Sequence, residues 1–177
     1  MRKILFFILF SGPLMLLAQR GNNQFIPAFE FGLPVGSFSD FNPGIGISGK
    51  ALFGFGEHAQ AGVYIGYSAF KLEGSTSENK TKLSTLPIML AYRYKLPVIY
   101  LEPQLGYGVY TTTVKTEVGN TSNKSTTSNG GFTWSLGGGV QIGSVDLGVR
   151  YQSGHPSGGT VGLFGIHAGY IFRSRKS

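Results

Sequence analysis

The three histidines of this chain, His58, His155 and His167, are the side chains best suited to metal binding or proton transfer. No two of them stand at the spacing of a zinc site. The chain has no cysteine, which excludes a thiol nucleophile, a cysteine-based metal centre and a disulfide scaffold. His155 lies between Ser153 and Ser157, so a lipid-modifying hydrolase stays an alternative, although a catalytic triad is defined by geometry. We predict a protein that is not an enzyme, with no catalytic, cofactor-binding or metal-binding residue.

A glycine pattern at residues 44–49 matches the G-x-G-x-x-G fingerprint of dinucleotide-binding loops. That loop needs a preceding strand, a following helix and a βαβ unit. No helix is indicated after it, and two further glycines, Gly54 and Gly56, again stand two residues apart. We interpret the pattern as small, inward-facing positions of a strand, without a cofactor.

The strongest polar constellation consists of six charged residues that alternate with apolar ones: Glu30, Lys50, Arg93, Glu102, Asp146 and Arg150. Arg93 and Glu102 flank a Leu96-Pro97 turn, so their side chains can meet on adjacent strands. Asp146 and Arg150 share one face of a strand. Such a set can form a gate or proton path, or a structural ion-pair network that neutralises a narrow interior. We favour the structural network.

The composition points to one domain with little charge. Of 177 residues, 13% are charged, against about 25% in an ordinary soluble domain, while 28 are glycine and 14% are aromatic. Fifteen Lys and Arg against eight Asp and Glu leave a net charge of +7. These basic residues do not cluster on a helical face, so no nucleic-acid partner is expected.

Residues 1–18 are typical of a cleaved secretory signal peptide. Arg2 and Lys3 precede an apolar run from Ile4 to Leu17, and Ala18 supplies the small residue for cleavage. The run is too short, and too interrupted by Gly12-Pro13, for a transmembrane helix. Residues 19–177 would then form the mature domain.

The mature chain shows a period of two, which predicts strands with two different faces. Leu86, Ile88 and Leu90 alternate with smaller or polar residues, for example. We predict eight strands, at about 24–34, 43–55, 58–72, 83–96, 98–112, 131–143, 144–153 and 160–173. Tight turns near residues 56–57, 96–97 and 143–144 alternate with longer polar connections at 36–42, 73–82, 113–130 and 154–159. Alternating short turns and long loops are typical of a transmembrane β-barrel.

The polar face decides between a membrane barrel and a soluble one. It carries mainly Gly, Ser, Thr and Gln with few charges of both signs, which fits a narrow closed interior, because eight strands leave room only for side chains. The apolar face would meet lipid. Its aromatic residues would mark the membrane interfaces, with Tyr92, Tyr94 and Tyr100 near the turns and Tyr67, Tyr107 and Tyr151 nearer the loops.

In this architecture the chain resembles the small eight-stranded outer-membrane β-barrels of Gram-negative bacteria, the OmpA-like and OmpX-like group with its porin-family barrel domain. The most specific part is the last strand, where Phe164, Ile166, Ala168, Tyr170 and Phe172 alternate up to an aromatic residue. It is similar to the C-terminal assembly signal of that group, so the resemblance implies that Tyr170 and Phe172 are read by the barrel-assembly machinery. Arg173 to Ser177 follow the aromatic residue here, whereas the family often ends at it.

We therefore predict an all-β, eight-stranded, antiparallel up-and-down transmembrane barrel in the outer membrane. Its role would be structural or surface-interactive, with membrane lipid and lipopolysaccharide as partners and loops 73–82 and 113–130 as contact surface. The alternatives are a small channel, a lipid-modifying membrane enzyme, and a soluble exported barrel that binds an apolar ligand.

Overall fold

The computed structural model describes residues 23–55, 57–75, 79–118, 121–157 and 159–173. The predicted signal peptide, residues 1–18, lies outside them. Within the described ranges the long strands are β1 Gln24–Val35, β2 Gly44–Gly54, β3 Ala59–Lys71, β4 Asn79–Lys95, β5 Ile99–Val118, β6 Thr121–Ile142, β7 Val145–Pro156 and β8 Val161–Tyr170. A two-residue strand, β9 Phe172–Arg173, continues β8 beyond Ile171, and one turn of 3-10 helix, Gly36–Phe38, follows β1.

The sheet closes on itself. Each strand pairs antiparallel with the next, and β1 pairs with both β2 and β8. Closure satisfies the backbone groups that the edge of an open sheet would expose. The prediction of an all-β, eight-stranded up-and-down barrel is confirmed. Among the described residues no helix is long and apolar enough to cross a membrane.

At the end of the barrel that carries the tight turns, the predicted bounds of the first seven strands agree with the observed bounds to within one residue. The predicted loops 73–82 and 113–130 are wrong in large part. β4 already begins at Asn79, and β5 and β6 continue as one paired hairpin up to Val118 opposite Thr121. Threonine suits a strand, but this segment is polar on both faces, so the alternation of apolar and polar residues is lost while backbone pairing continues.

The outward face of the barrel is apolar on every strand. Exposed aliphatic or aromatic residues, one for each strand from β1 to β8, are Phe29, Ile45, Ile65, Leu90, Leu105, Leu136, Val149 and Ile166. Phe29, the residue of β1, is 77% exposed. Apolar surface on this scale marks a face that meets something other than water.

The glycine pattern of residues 44–49 belongs to β2 and to no nucleotide-binding loop. A Cβ at Gly44 would come within 2.4 Å of the Phe70 ring, and one at Gly46 within 2.3 Å of the Ser68 hydroxyl, so both positions must stay small. Gly49 departs from the prediction, because it alternates with the buried Lys50 and therefore faces outward.

The interior charge network and the protruding sheet

The barrel brings all six predicted charged residues together in its interior. Each lies at an inward-facing position: Glu30 on β1, Lys50 on β2, Arg93 on β4, Glu102 on β5, and Asp146 and Arg150 on β7. Their side chains are buried, Arg150 the least so with 10% exposure. Three cations therefore face three anions, and the set is neutral as a whole.

Arg93 is the centre of the network. Its Nε donates to Glu102 Oε2 at 2.5 Å, and its two terminal nitrogens donate to the two oxygens of Asp146 at 3.1 Å each. Its guanidinium carbon lies 3.7 Å from the centre of the Tyr100 ring. Lys50 Nζ lies 2.7 Å from Glu102 Oε1 and 4.0 Å from Asp146 Oδ2. Two cations thus share two carboxylates, a geometry in which each buried charge has an opposite partner.

Arg150 belongs to a second group. Its Nη2 donates to Glu30 Oε2 at 2.6 Å, and the Tyr64 hydroxyl donates to the same carboxylate, 3.1 Å from Oε1. The guanidinium carbon lies 4.4 Å from the centre of the Tyr64 ring. Asp146 and Arg150 share a face, as predicted, but pair with different partners. Four residues along a strand span about 13 Å, whereas the long side chains of Arg93 on β4 and Arg150 on β7 reach Asp146 and Glu30 across the narrow interior.

His167 and Tyr100 join the network, and sequence reasoning missed both partnerships. His167 Nε2 lies 3.3 Å from Asp146 Oδ2, 3.2 Å from the Tyr100 hydroxyl and 3.4 Å from Lys50 Nζ. The prediction that Tyr100 faces outward is wrong, because its side chain is buried inside the barrel. Its spacing of two from Glu102 was the available signal, since residues i and i+2 of a strand share a face.

The interior is less polar than predicted. One buried apolar cluster lies toward the loop end: Phe70, Leu83, Tyr110, Val161 and Leu163, with Phe38 and Phe41 of the β1–β2 connection packed against it. A second lies beside the charge network: Ile26, Leu52, Tyr64, Met89, Ala91 and Ile171. The interior of the described barrel is therefore filled with side chains, both charged and apolar.

Among the described residues, Ser153 and His155 are joined by no carboxylate into a catalytic triad. The Ser153 hydroxyl lies 3.4 Å from His155 Nε2, on the outward face of β7. The other ring nitrogen of His155 faces the Thr160 hydroxyl at 3.2 Å, where a triad places a carboxylate. The described part of the chain also has no group of three or more His, Asp or Glu placed to hold a metal ion.

Three strands rise beyond the closed barrel on the loop side. The pairing of β6 with β7 ends at Gly131 opposite Pro156, whereas β6 continues to Thr121 paired with β5. β4 flanks β5 as far as Asn79 opposite Thr116. In the described structure, residues 121–130 therefore have a strand on one side only. We call this extension of β4, β5 and β6 the protruding sheet.

Comparison with solved structures identifies the fold. The chain is similar to Ail, the attachment invasion locus protein of Yersinia pestis, with a TM-score of 0.62, 13% identity, and coverage of 86% of this chain and 99% of Ail. It is also similar to Neisserial surface protein A, with a TM-score of 0.52, 14% identity, and coverage of 86% and 97%. The N-terminal barrel domain of Pseudomonas aeruginosa OprF gives 0.50, 10% identity, and coverage of 86% and 100%. The fold is that of the small outer-membrane barrels.

Ail has also been solved in complex with the heparin analogue sucrose octasulfate, with a TM-score of 0.64 to this chain. No protein-family model matches the chain, and no curated protein matches its sequence.

Proposed function

We propose that this chain is an integral outer-membrane protein with a non-enzymatic, structural and surface-contact role. The main support is the apolar outward face on all eight strands around an interior in which six buried charges form a neutral set. A soluble barrel that stores an apolar ligand would need the reverse arrangement, with polar groups outside and an apolar cavity inside.

Export and assembly follow from the same proposal. The signal peptide at residues 1–18 is cleaved, and the barrel-assembly machinery reads the aromatic residues at the end of β8. Tyr170 and Phe172 are both exposed on the outward face, with ring centres 4.8 Å apart. An exposed aromatic pair at this end is accessible to an assembly partner before the barrel closes.

The first test is heat-modifiability of protein taken from the outer-membrane fraction. A closed barrel stays folded in detergent without boiling and changes its gel mobility when boiled. We expect that shift. Protein recovered soluble from the periplasm, with no shift, would refute the membrane proposal.

A channel is the weaker alternative, because large side chains fill the interior. Arg93, Tyr64, Lys50 and Phe70 are among the largest fully buried side chains. Eight-stranded barrels have interiors that side chains can fill. We expect planar-bilayer recordings to give no stable conductance steps, and reproducible steps of one size would contradict a closed interior.

The protruding sheet supplies the contact surface in place of the two predicted loops. Residues 122–129 are exposed, and in the described structure one edge of this segment presents backbone donors and acceptors without a neighbouring strand. Proteins usually blunt such an edge with proline, bulges or several charges. This edge has Lys124 as its only charged residue and no proline. It therefore suits the addition of an extended segment from a partner.

Deleting residues 113–128 tests this role, because Tyr110 and Asn129, which pair across the strands, are then joined by a two-residue turn, 111–112. We expect the shortened barrel to insert and stay heat-modifiable, since the removed pairs lie beyond the β6–β7 ladder. We expect it to lose binding on an array of surface glycans and extracellular proteins. A matched control replaces residues 122–128 by an equal length of Gly and Ser. Full binding by the deletion variant would move the contact surface elsewhere.

A further inference from the structure

The free edge of the protruding sheet carries a defined set of backbone groups. The two-residue turn at 143–144 joins Ile142 of β6 to Val145 of β7, which pair directly and so exchange their N–H and C=O groups. Because these groups point to alternate sides along a strand, the even-numbered residues of β6 direct theirs toward the β7 side. β7 ends with Pro156 opposite Gly131. Above Gly130, among the described residues, four even-numbered positions have no strand beside them: Ser122, Lys124, Thr126 and Ser128.

This edge is already ordered as a strand before any partner binds. The odd-numbered residues of the segment direct their backbone groups to β5, as Asn123 does opposite Thr116. The hydroxyls of Ser128 and Thr111 lie 2.9 Å apart, which adds a side-chain hydrogen bond between the same two strands. An ordered edge lowers the entropy cost of adding another strand.

Segment 122–128 is complementary to itself in one antiparallel register. With Ser125 of one copy opposite Ser125 of another, Ser122 stands opposite Ser128, and Lys124 stands opposite Thr126. Every free residue then faces another free residue, so the four pairs exchange about eight backbone hydrogen bonds. Lys124 is the only charged residue of the segment, and it faces a threonine in this register.

Neighbouring registers are less favourable. Shifting one copy by one residue would pair even-numbered with odd-numbered positions, whose backbone groups are already directed to β5. Shifting it by two residues in one direction puts Lys124 opposite Lys124, and like charges directly opposite destabilise a strand pair. Shifting it by two residues in the other direction puts Thr121 of the second copy opposite Gly131, where β7 already occupies the edge.

The symmetry of this pair fixes how the two barrels are oriented. A two-fold axis through Ser125, perpendicular to the sheet, makes the two barrel axes antiparallel, so the two copies lie in facing membranes. Trp134 lies nine residues from Ser125 along β6. At about 3.4 Å per residue and a strand tilt of about 40°, the Trp134 levels of the two barrels are about 47 Å apart. This gap leaves room for the headgroup layers of both membranes, which take about 5–8 Å each.

Two copies in the same membrane do not form this pair. Their strands tilt in the same sense by about 40° from the barrel axis, so a two-fold axis along the membrane normal makes the two edges cross at about 80°. Crossed edges meet at one point and leave most of the free backbone groups unpaired.

We propose that the free edge of the protruding sheet binds the same edge of a second copy in a facing membrane, so that the barrel joins two outer membranes. This inference names a partner for the contact surface proposed above and rests on the outer-membrane location. The two sheets then form one continuous sheet of six strands, with β6 of each copy at its centre.

Cysteine cross-linking between two vesicle populations tests the register. The chain has no cysteine of its own. S122C barrels in one population of phosphatidylcholine vesicles are mixed with S128C barrels in another, and disulfide formation is followed on non-reducing gels. We expect a cross-linked dimer, because the two positions face each other with Cα atoms about 5.5 Å apart. S122C mixed with S122C is the control and should give no dimer, because those positions lie about 20 Å apart.

Vesicle clustering tests the use of the free backbone groups. Vesicles labelled with donor lipid and vesicles labelled with acceptor lipid, both carrying the parent barrel, should cluster and show energy transfer. T126P should lose this clustering, because proline removes an N–H that faces only the free edge. T126V is the matched control, since it keeps that N–H and should cluster like the parent.

Three results would overturn the pairing: parent vesicles that stay separate, equal clustering by T126P and T126V, or S122C that cross-links to S122C as readily as to S128C. Heat-modifiability is recorded for every variant. A parent barrel that fails to insert into lipid refutes the proposed membrane location and the pairing with it. An inserted barrel that binds other surface molecules through this edge, yet clusters no vesicles, refutes the second copy alone.

Discussion

Replacing Arg93 by methionine is expected to destabilise the folded barrel by about 3–5 kcal/mol, the usual cost of removing one partner from a buried ion pair. Methionine keeps much of the side-chain volume but removes the charge. Glu102 and Asp146 then lose three hydrogen bonds from Arg93, and Lys50 remains as their shared cation. The network of six charges then changes from three cations and three anions to two cations and three anions.

Substitutions of two other arginines provide comparisons for the loss of stability in Arg93→Met. Arg150→Met leaves Glu30 with the Tyr64 hydroxyl as a donor, so we expect a smaller loss, of about 1.5–3 kcal/mol for a hydrogen bond to a charged group. Arg173 is exposed and donates to the Gly143 carbonyl, so Arg173→Met should change stability by less than about 1 kcal/mol. The expected loss of stability therefore decreases from Arg93→Met to Arg150→Met to Arg173→Met.

Urea unfolding in lipid vesicles, followed by the fluorescence of the single tryptophan Trp134, measures these differences. With a slope of about 1–3 kcal/mol per molar urea, the Arg93→Met midpoint should fall by about 1 M or more. The double variant R93M/D146N restores neutrality and should recover part of the loss. An Arg93→Met midpoint equal to that of the parent, or one no lower than that of Arg173→Met, would refute the view that the network stabilises the fold.

Three further outcomes are expected. Gly154→Ala should destabilise the barrel by about 1–3 kcal/mol, because a Cβ there would lie 1.8 Å from the Tyr110 hydroxyl. Gly49→Ala is the control, because the nearest atom to a Cβ at that position is 3.9 Å away. Urea titrations measure both variants, and equal losses of stability would contradict the packing argument. Trp134 faces outward and is 37% exposed, so lipids brominated along their chains should quench its fluorescence, and full emission would place it away from lipid. Phe172→Ala should slow assembly by the purified barrel-assembly machinery without lowering the stability of the assembled barrel by more than about 1–2 kcal/mol, and an unchanged assembly rate would remove Phe172 from the signal.

The closed barrel could be predicted because a strand with one apolar face imposes a simple period. Leu86, Ile88 and Leu90 repeat at every second residue, and a backbone facing lipid must pair all its polar groups in a closed sheet. The same period of two predicted that the six charged residues face the interior, because each alternates with outward-facing apolar residues. These are local properties of the chain, and neighbouring residues suffice to show them.

The protruding sheet could not be predicted from hydrophobicity. Above the barrel, both faces of the strands carry polar residues such as Thr116 and Asn123. A strand there has the same amino-acid composition as a loop. Only the pairing itself, Thr116 opposite Asn123 and Lys115 opposite Lys124, distinguishes them. That register depends on the pairing of two strands and on nothing that a single strand contains.

The sequence by itself determined the fold class, the inward or outward side of most strand residues, and the identity of the interior charges, because each depends on a period of two along one strand. The tertiary structure decided which charges pair. Asp146 meets Arg93, 53 residues away, rather than Arg150 on its own strand, because barrel closure and the stagger of the strands bring distant inward positions to the same height. Coulomb energy depends on the distance between two charges in space, and Asp146 and Arg93 come close only when the sheet closes.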